Sequence, residues 1–135
     1  MAADAGMLLT RVLYRKKNSR RRFLIVDAAM NDLARPALYD AYHPIEPVRR
    51  NGGRLETVDV VGPVCESGDF LARRRRLAPC RPVDILAVLK TGAYGFAMSS
   101  QYNSRPRAAE VLVAGKRARL IRARETFKDL IRLER

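Results

Sequence analysis

The chain has 135 residues and little of what several catalytic and metal sites require. His43 is its only histidine, so a Ser-His catalytic triad built on Ser99 or Ser100 has little support. Neither of its two cysteines, Cys65 and Cys80, has a second Cys or His at metal-ligand spacing, so no metal site is predicted. No apolar run approaches about 18 residues, which excludes a transmembrane helix.

The N-terminus also lacks the pattern of a secretory signal. Its first charged residue is the acidic Asp4, and no basic region precedes the apolar residues that follow. Two cysteines in a chain without such a signal are expected to remain reduced thiols. We therefore expect a soluble cytoplasmic protein that has no membrane partner.

Positive charge, in contrast, is abundant. The 27 Lys and Arg residues outnumber the 14 Asp and Glu residues, which gives a formal net charge of +13. The basic runs at 15–22 and 73–76 could contact phosphates, so a small basic nucleic-acid-binding module is an alternative function. Because aromatic residues are not interleaved with these runs, and no nucleic-acid motif is present, we expect only non-specific attraction to nucleic acid.

Strand patterns dominate the chain, whose length favours one domain over residues 1–135. Alternating or continuous apolar runs, and a pair of runs around Gly115, predict strands and two hairpins. The predicted strands cover 8–17, 22–30, 55–64, 83–90 and the two runs of 108–126. We expect a mainly β fold, a barrel or a sandwich, whose loops hold the unusual residues.

Short helices and turns are predicted between the strands. A helix within 31–45 is capped by Asn31 or Asp32 and carries Pro36 in its first turn, where proline is tolerated. The remaining predicted segments are a glycine turn at 52–53, a helical turn bearing four arginines at 70–79, a structured loop at 91–107 and a terminal helix at 125–135.

The segment GPVCESGDF (62–70) places a thiol beside a carboxylate. A thiol with a pKa of about 8.5 is mostly protonated at neutral pH, so Cys65 can donate a proton as well as act as a nucleophile. Glu66 could hold an ammonium group. On these residues alone the favoured alternative is a small buried cysteine beneath a turn, with Glu66 and Asp69 facing solvent.

Two further motifs carry polar side chains suited to binding. In RPALY (35–39), Arg35 and Tyr39 share a helical face, and a guanidinium can grip a carboxylate through two hydrogen bonds. The alternative is a surface arginine and a half-buried tyrosine. In GAYG (92–95), glycines beside Tyr94 would let the backbone approach a ligand, and Tyr94 or Tyr102 could bind phosphate or stack on a ring. The alternative there is a tight turn with core aromatics.

These motifs, in their order and spacing, resemble one family. FLIVDAAMNDLARPALYDAYHPI, VVGPVCESGDFLA and LAVLKTGAYGFAMSSQYNSRPRAAEVLV are similar to the C-terminal domain of the diaminopimelate decarboxylases. The resemblance implies a β-barrel of the alanine racemase and ornithine decarboxylase C-terminal type. It also implies an N-terminal (β/α)8 barrel that carries pyridoxal 5'-phosphate on a lysine, and a homodimer in which the CESGD loop reaches the partner's cofactor.

The resemblance also implies roles for single residues in the conversion of meso-diaminopimelate to L-lysine and carbon dioxide. Cys65 matches the proton donor and Glu66 the residue that holds the distal ammonium group of the substrate. Arg35 and Tyr39 match the pair that holds its distal carboxylate, and Tyr94 matches a tyrosine that contacts both cofactor and substrate. Asp69 receives no role.

The cofactor lysine of the family lies in the N-terminal barrel. Lys90 is the one lysine within the matching segments, and it stands where the family more commonly has an acidic residue. We therefore expect a C-terminal portion without the (β/α)8 barrel, which is not competent to decarboxylate alone. A non-catalytic fragment that associates with a full-length decarboxylase, or with itself, is the remaining alternative.

Overall fold

The long first strand takes part in both halves of the main sheet. The computed structural model describes residues 2–49 and 52–134, so the last residue of the predicted terminal helix, Arg135, lies outside the described residues. The strands and helices are β1 (Met7–Lys17), β2 (Arg22–Val26), α1 (Arg35–Tyr39), β3 (Ile45–Pro47), β4 (Glu56–Val61), β5 (Phe70–Leu77), β6 (Ile85–Leu89), β7 (Glu110–Ala114), β8 (Arg117–Arg122) and α2 (Phe127–Ile131).

Six strands form one sheet in the order β3-β6-β1-β2-β4-β5. The first half of β1 pairs antiparallel with β6, from Met7 opposite Leu89 to Arg11 opposite Ile85. Its second half pairs antiparallel with β2 from Val12 onward, with a register shift between Val12 and Tyr14. The strands β2 and β4 are parallel, whereas β4 and β5 are antiparallel.

The sheet curls until its two edge strands come near each other. Arg75, on the edge strand β5, donates from Nη1 to the carbonyl of His43, just before the opposite edge strand β3, at 2.9 Å. The guanidinium of Arg75 also lies 3.9 Å from the centre of the Tyr42 ring. This nearly closed, barrel-like sheet confirms the predicted mainly β class. The described residues contain no (β/α)8 barrel.

The interior of the curled sheet is aliphatic. Buried residues alternate along β1 and β2, whereas β4 and β6 each bury three consecutive residues. Burial of each large aliphatic side chain contributes about 1.5–3 kcal/mol. The largest fully buried apolar side chains are those of Val12, Leu24, Val26, Leu33, Val58, Val60, Leu71, Leu86 and Val88.

Both predicted hairpins are confirmed. β1 and β2 are joined by a turn in which Asn18 Oδ1 accepts hydrogen bonds from the backbone N–H groups of Arg20 and Arg21. β7 and β8 form a separate two-stranded sheet whose turn contains Gly115 at φ 58°, a conformation that glycine adopts without strain.

The predicted helical turn over 70–79 is wrong, because residues 70–77 form strand β5. Its consecutive arginines hide the period-2 pattern, and only pairing with β4 shows that the segment is extended. Arg74 sits at an irregularity in this ladder with φ 49°, and its N–H donates to Asp59 Oδ1 at 2.6 Å. Charged side chains on an edge strand discourage pairing with another chain.

The helix predicted within 31–45 is confirmed only as the single turn α1. Pro36 lies in its first turn as predicted, and Asp40 ends it in the left-handed conformation. The predicted caps are wrong, since Ala34 occupies the N-cap position. The side chains of Asn31 and Asp32 instead accept hydrogen bonds from Arg105 and from the N–H of Ala29.

The terminal helix α2 is also shorter than predicted. It begins after Thr126, whose side chain and N–H both bond to Asp129, which is a capping box. Within the described residues, no helix combines the length and apolar character needed to cross a membrane.

Candidate functional site

The loop between β4 and β5, here called the thiol loop (residues 62–69), is fixed by a buried carboxylate. Asp69 is only 5% exposed. Its Oδ2 accepts the N–H of Val64 at 2.7 Å, and its Oδ1 accepts the N–H of Met30 at 2.8 Å. A Cβ at Gly62 would lie 2.4 Å from both oxygens, so only glycine fits beside them. The interpretation in which Asp69 faces solvent is therefore wrong.

Cys65, at the tip of this loop, is an exposed free thiol. The interpretation in which it is buried beneath a turn is therefore wrong, and the thiol is available to react. The other cysteine, Cys80, is fully buried, and burial raises the pKa of its thiol to about 11.

Glu66, next to Cys65, is exposed and held in place by two hydrogen bonds within its own loop and one from Tyr102, in the loop between β6 and β7. Its Oε1 accepts the N–H of Gly68 and the hydroxyl of Ser67, each at 3.1 Å, and its Oε2 accepts the hydroxyl of Tyr102 at 3.3 Å. The Gly68 N–H is the main reason that the pKa of Glu66 lies below its ordinary value. The carboxylate is thus negative at neutral pH, which suits contact with a cation.

A second cluster joins α1 to the loop between β6 and β7, here called the tyrosine loop (residues 90–109). The guanidinium of Arg35 lies 5.7 Å from the centre of the Tyr94 ring. Tyr39, one turn after Arg35, is 64% exposed, and Tyr94 is 62% exposed. The alternatives of a half-buried Tyr39 and a core Tyr94 are both wrong, because both phenols face outward.

Tyr94 has φ 60°, a left-handed conformation that costs an L-residue about 1–2 kcal/mol. The glycines on either side permit close backbone approaches within the chain itself. A Cβ at Gly92 would lie 2.1 Å from the carbonyl oxygen of Ala2, and one at Gly95 would lie 2.3 Å from that of Thr91. A Cβ at either position would therefore displace the backbone of the turn that presents the Tyr94 side chain.

The segment between β2 and α1, here called the connecting segment (residues 27–34), binds both loops. Met30 donates to Asp69 of the thiol loop, as described above. Arg105 of the tyrosine loop donates from Nε to Asn31 Oδ1 at 2.9 Å and from Nη2 to the carbonyl of Asp27 at 2.5 Å. The N–H of Ser100 donates to the carbonyl of Asn31 at 2.9 Å.

This shared frame explains how the two clusters are positioned. Sequence reasoning missed Arg105 and gave Asn31 a capping role instead. The SRPR segment around Arg105 carried no signal for its contacts, because its partners lie more than 70 residues earlier in the chain.

An ion pair between Arg107 and Glu125 holds the end of the tyrosine loop, and it lowers the pKa of Glu125 enough to be measured. Glu125 accepts hydrogen bonds from the side chain and the N–H of Arg107 and from the amide of Gln101. The Arg107 side chain is the main cause that lowers the pKa of Glu125 from 4.5 to about 2. Since this carboxyl has a lower pKa in the folded state, its contribution to stability is present above pH 4.5 and is lost as the pH falls towards 2.

We therefore predict that NMR titration of the Glu125 side-chain carboxyl will give a midpoint near 2. In the variant Arg107→Gln the midpoint should rise towards the ordinary value, because the charged donor is gone. A midpoint at the ordinary value in the unaltered chain would show that the ion pair does not persist in solution.

Metal binding finds no support in the clusters. In the parts of the chain that the structure describes, no three His, Cys, Asp or Glu side chains lie close enough to hold a metal ion. The chemistry of this region is that of a thiol, carboxylates, phenols and a guanidinium.

Known proteins with similar sequences carry the name diaminopimelate decarboxylase. Diaminopimelate decarboxylase from Pseudomonas aeruginosa is 54% identical over 130 residues, which cover 96% of this chain and 31% of that protein. The enzyme of the same name from Zymomonas mobilis is 48% identical over 134 residues, covering 99% of this chain and 32% of that protein. The chain thus spans about a third of the length of these relatives.

Solved structures give the same result. A crystal structure from Aquifex aeolicus superposes with a TM-score of 0.96 at 49% identity, covering 98% of this chain and 33% of that one. Diaminopimelate decarboxylase from Helicobacter pylori, complexed with L-lysine, superposes with a TM-score of 0.91 at 48% identity and covers 98% of this chain and 32% of that one. Residues 2–92 match the sequence model of the pyridoxal-dependent decarboxylase C-terminal sheet domain. The chain therefore belongs to the pyridoxal-dependent decarboxylase family and corresponds to its C-terminal sheet domain.

Proposed function

We propose that residues 1–135 form the C-terminal domain of a diaminopimelate decarboxylase, which converts meso-diaminopimelate to L-lysine and carbon dioxide. The observation that carries this proposal is the anchored thiol loop. Buried Asp69 fixes a loop that presents the exposed Cys65 thiol beside the negative Glu66 carboxylate. A proton donor next to a cation-binding group is what the final step of this reaction requires.

The residues present fit contact with pyridoxal phosphate, although they do not fit its covalent attachment. Pyridoxal phosphate supplies the electron sink for the loss of carbon dioxide. The outward phenol of Tyr94 can donate a hydrogen bond to an anionic group of the cofactor or substrate. Lys90, the first residue of the tyrosine loop, is exposed and its Nζ lies 3.8 Å from Asp4 Oδ1, and the other lysines lie outside the thiol loop, α1 and the tyrosine loop. The attachment lysine is therefore assigned to another domain.

Each proposed role follows from the chemistry of one side chain. Cys65 donates its thiol proton to the substrate Cα after carbon dioxide has left. Glu66 holds the distal ammonium group through its carboxylate, which is negative at neutral pH. Arg35 and Tyr39 hold the distal carboxylate, since a guanidinium fork and a phenol both donate hydrogen bonds to oxygen anions.

The exposure of these side chains supports a site completed by other surfaces. A proton donor that controls stereochemistry must be shielded from bulk water during the reaction, whereas Cys65 lies open here. The hairpin β7–β8 also exposes apolar side chains at Val111, Val113, Leu120 and Ile121. Apolar groups of this kind are typical of surfaces that bind another protein surface. We propose that a (β/α)8 barrel domain and a second subunit cover these regions in a homodimer.

The test is a domain replacement. We predict that the chain alone, mixed with pyridoxal phosphate and meso-diaminopimelate, forms no lysine, because its site residues include no attachment lysine. A chimera in which the chain replaces the matching C-terminal third of the Pseudomonas aeruginosa enzyme should form lysine. The measurement is lysine produced over time, detected by chromatography.

The control is the same Pseudomonas enzyme truncated before the replaced third, which should be inactive. Lysine formation by the chain alone would contradict the proposal. A folded chimera that binds pyridoxal phosphate but forms no lysine would favour the alternative of a non-catalytic fragment, whose association with itself or with the full-length enzyme can be measured by light scattering.

A further inference from the structure

A basic cleft lies at the tip of the first hairpin, on elements that take no part in the two clusters described above. Its volume is about 550 Å³, within the range of about 300–1,000 Å³ that is typical of small-molecule sites. Five cationic side chains line it, from Lys17, Arg20, Arg21, Arg22 and Arg74.

The only acidic side chain in the described lining is that of Asp59, which is 5% exposed and engaged by its neighbours. Its Oδ1 accepts the N–H of Arg74 at 2.6 Å, and its Oδ2 lies 3.3 Å from Nη1 of Arg21. Five cations minus one carboxylate leave a formal charge of +4 in the lining.

Most of this charge is uncompensated. Within the described residues, the side chains of Lys17, Arg20 and Arg22 form no ion pair. The turn is nevertheless ordered, because Asn18 Oδ1 accepts the N–H groups of Arg20 at 2.9 Å and Arg21 at 2.7 Å. The cationic side chains therefore extend from a fixed backbone around one concave space, which strengthens their combined field.

We propose that this cleft binds an oligophosphate, meaning two or more linked phosphate groups, either free or as the phosphate chain of a nucleotide. Guanidinium groups match phosphate oxygens through paired hydrogen bonds, and several of them suit a ligand with several adjacent negative charges. The described lining contains no aromatic side chain, so it offers no surface on which a base would stack. The phosphates are thus the recognised part of the ligand.

The test compares two double variants that lose the same charge. Lys17→Gln with Arg20→Gln removes two cations from the cleft, whereas Arg117→Gln with Arg119→Gln removes two from exposed positions on β8. Binding of inorganic tripolyphosphate to the full chain is measured by titration calorimetry at about 50 mM and about 200 mM salt. We expect the cleft variant to raise the Kd about tenfold or more and the β8 variant to raise it less than about twofold.

Each outcome decides the proposal. Equal weakening of binding by the two double variants would overturn it, because only net charge would then be acting. An absence of tripolyphosphate binding to the unaltered chain would overturn it as well. Orthophosphate bound as tightly as tripolyphosphate would overturn the requirement for linked phosphates.

ATP bound as tightly as tripolyphosphate would support phosphate-chain recognition. A single-stranded oligonucleotide bound more tightly than tripolyphosphate, with the same sensitivity to the cleft variant, would assign the surface to nucleic acid instead. Circular dichroism checks that both variants are folded.

Discussion

Replacing Cys65 with serine in the domain-replacement chimera is expected to lower the rate of lysine formation about 10²–10⁴-fold, the usual contribution of a positioned acid or base. The serine hydroxyl has nearly the size of the thiol but is a much weaker acid, so it donates its proton poorly. Because the proton is needed only after the substrate has bound, kcat should fall while KM changes little. Steady-state kinetics of the two chimeras measure both constants.

Thiol alkylation supplies a matched control within the same chain. Iodoacetamide should modify the exposed Cys65 of the isolated chain and spare Cys80, which is fully buried and whose pKa is raised to about 11. In the Cys65→Ser variant, labelling should therefore disappear. An unchanged kcat in the Cys65→Ser chimera would remove the proton-donating role and leave Cys65 as a surface residue.

The second large effect concerns the anchor of the thiol loop. Replacing Asp69 with alanine is expected to lower the free energy of unfolding by about 3 kcal/mol, because two hydrogen bonds to a charged acceptor are lost at about 1.5–3 kcal/mol each and the loop relaxes in part. The N–H groups of Met30 and Val64 lose their acceptor in the process. Urea unfolding of the chain, followed by circular dichroism, measures the change.

Two variants separate anchoring from a general loss of charge. Glu66→Gln removes an exposed carboxylate from the same loop, and its effect on the unfolding free energy should stay within about 0.5 kcal/mol. Asp69→Asn keeps one acceptor oxygen, so its effect on the unfolding free energy should lie between those of Asp69→Ala and Glu66→Gln. Equal, small effects of Asp69→Ala and Glu66→Gln would mean that the loop holds its shape without the buried carboxylate.

The features that could be predicted from the sequence are those set by neighbours in the chain. The hairpin at Asn18-Ser19, the hairpin at Gly115 and the place of Pro36 in the first turn of α1 all follow from local turn and helix chemistry. The motif residues were likewise found because the types and their spacing lie within short segments.

The features that were missed depend on residues far apart in the chain. The sequence predicts a helical turn at 70–79, because four consecutive arginines show no alternation of polar and apolar residues, and the extended form of β5 comes from pairing with β4. The sequence assigns no role to Asp69 because its partner Met30 lies 39 residues earlier. It predicts Asn31 as a helix cap because the contact between its side chain and Arg105 is not visible in the sequence. Local patterns cannot anticipate such contacts, and tertiary structure overrides them.

The division of β1 between two partners also sets an order of events during folding. Its second half, from Val12, pairs with β2 and needs the chain only as far as Val26. Its first half pairs with β6, in which the partner of Met7 is Leu89, more than 80 residues later in the chain. Closing the long loop carries the larger entropic cost, and such non-local pairing is the slower step. The hairpin whose tip lines the basic cleft can therefore form early, whereas the tyrosine loop, which follows β6 in the chain, is positioned only after β6 has joined β1.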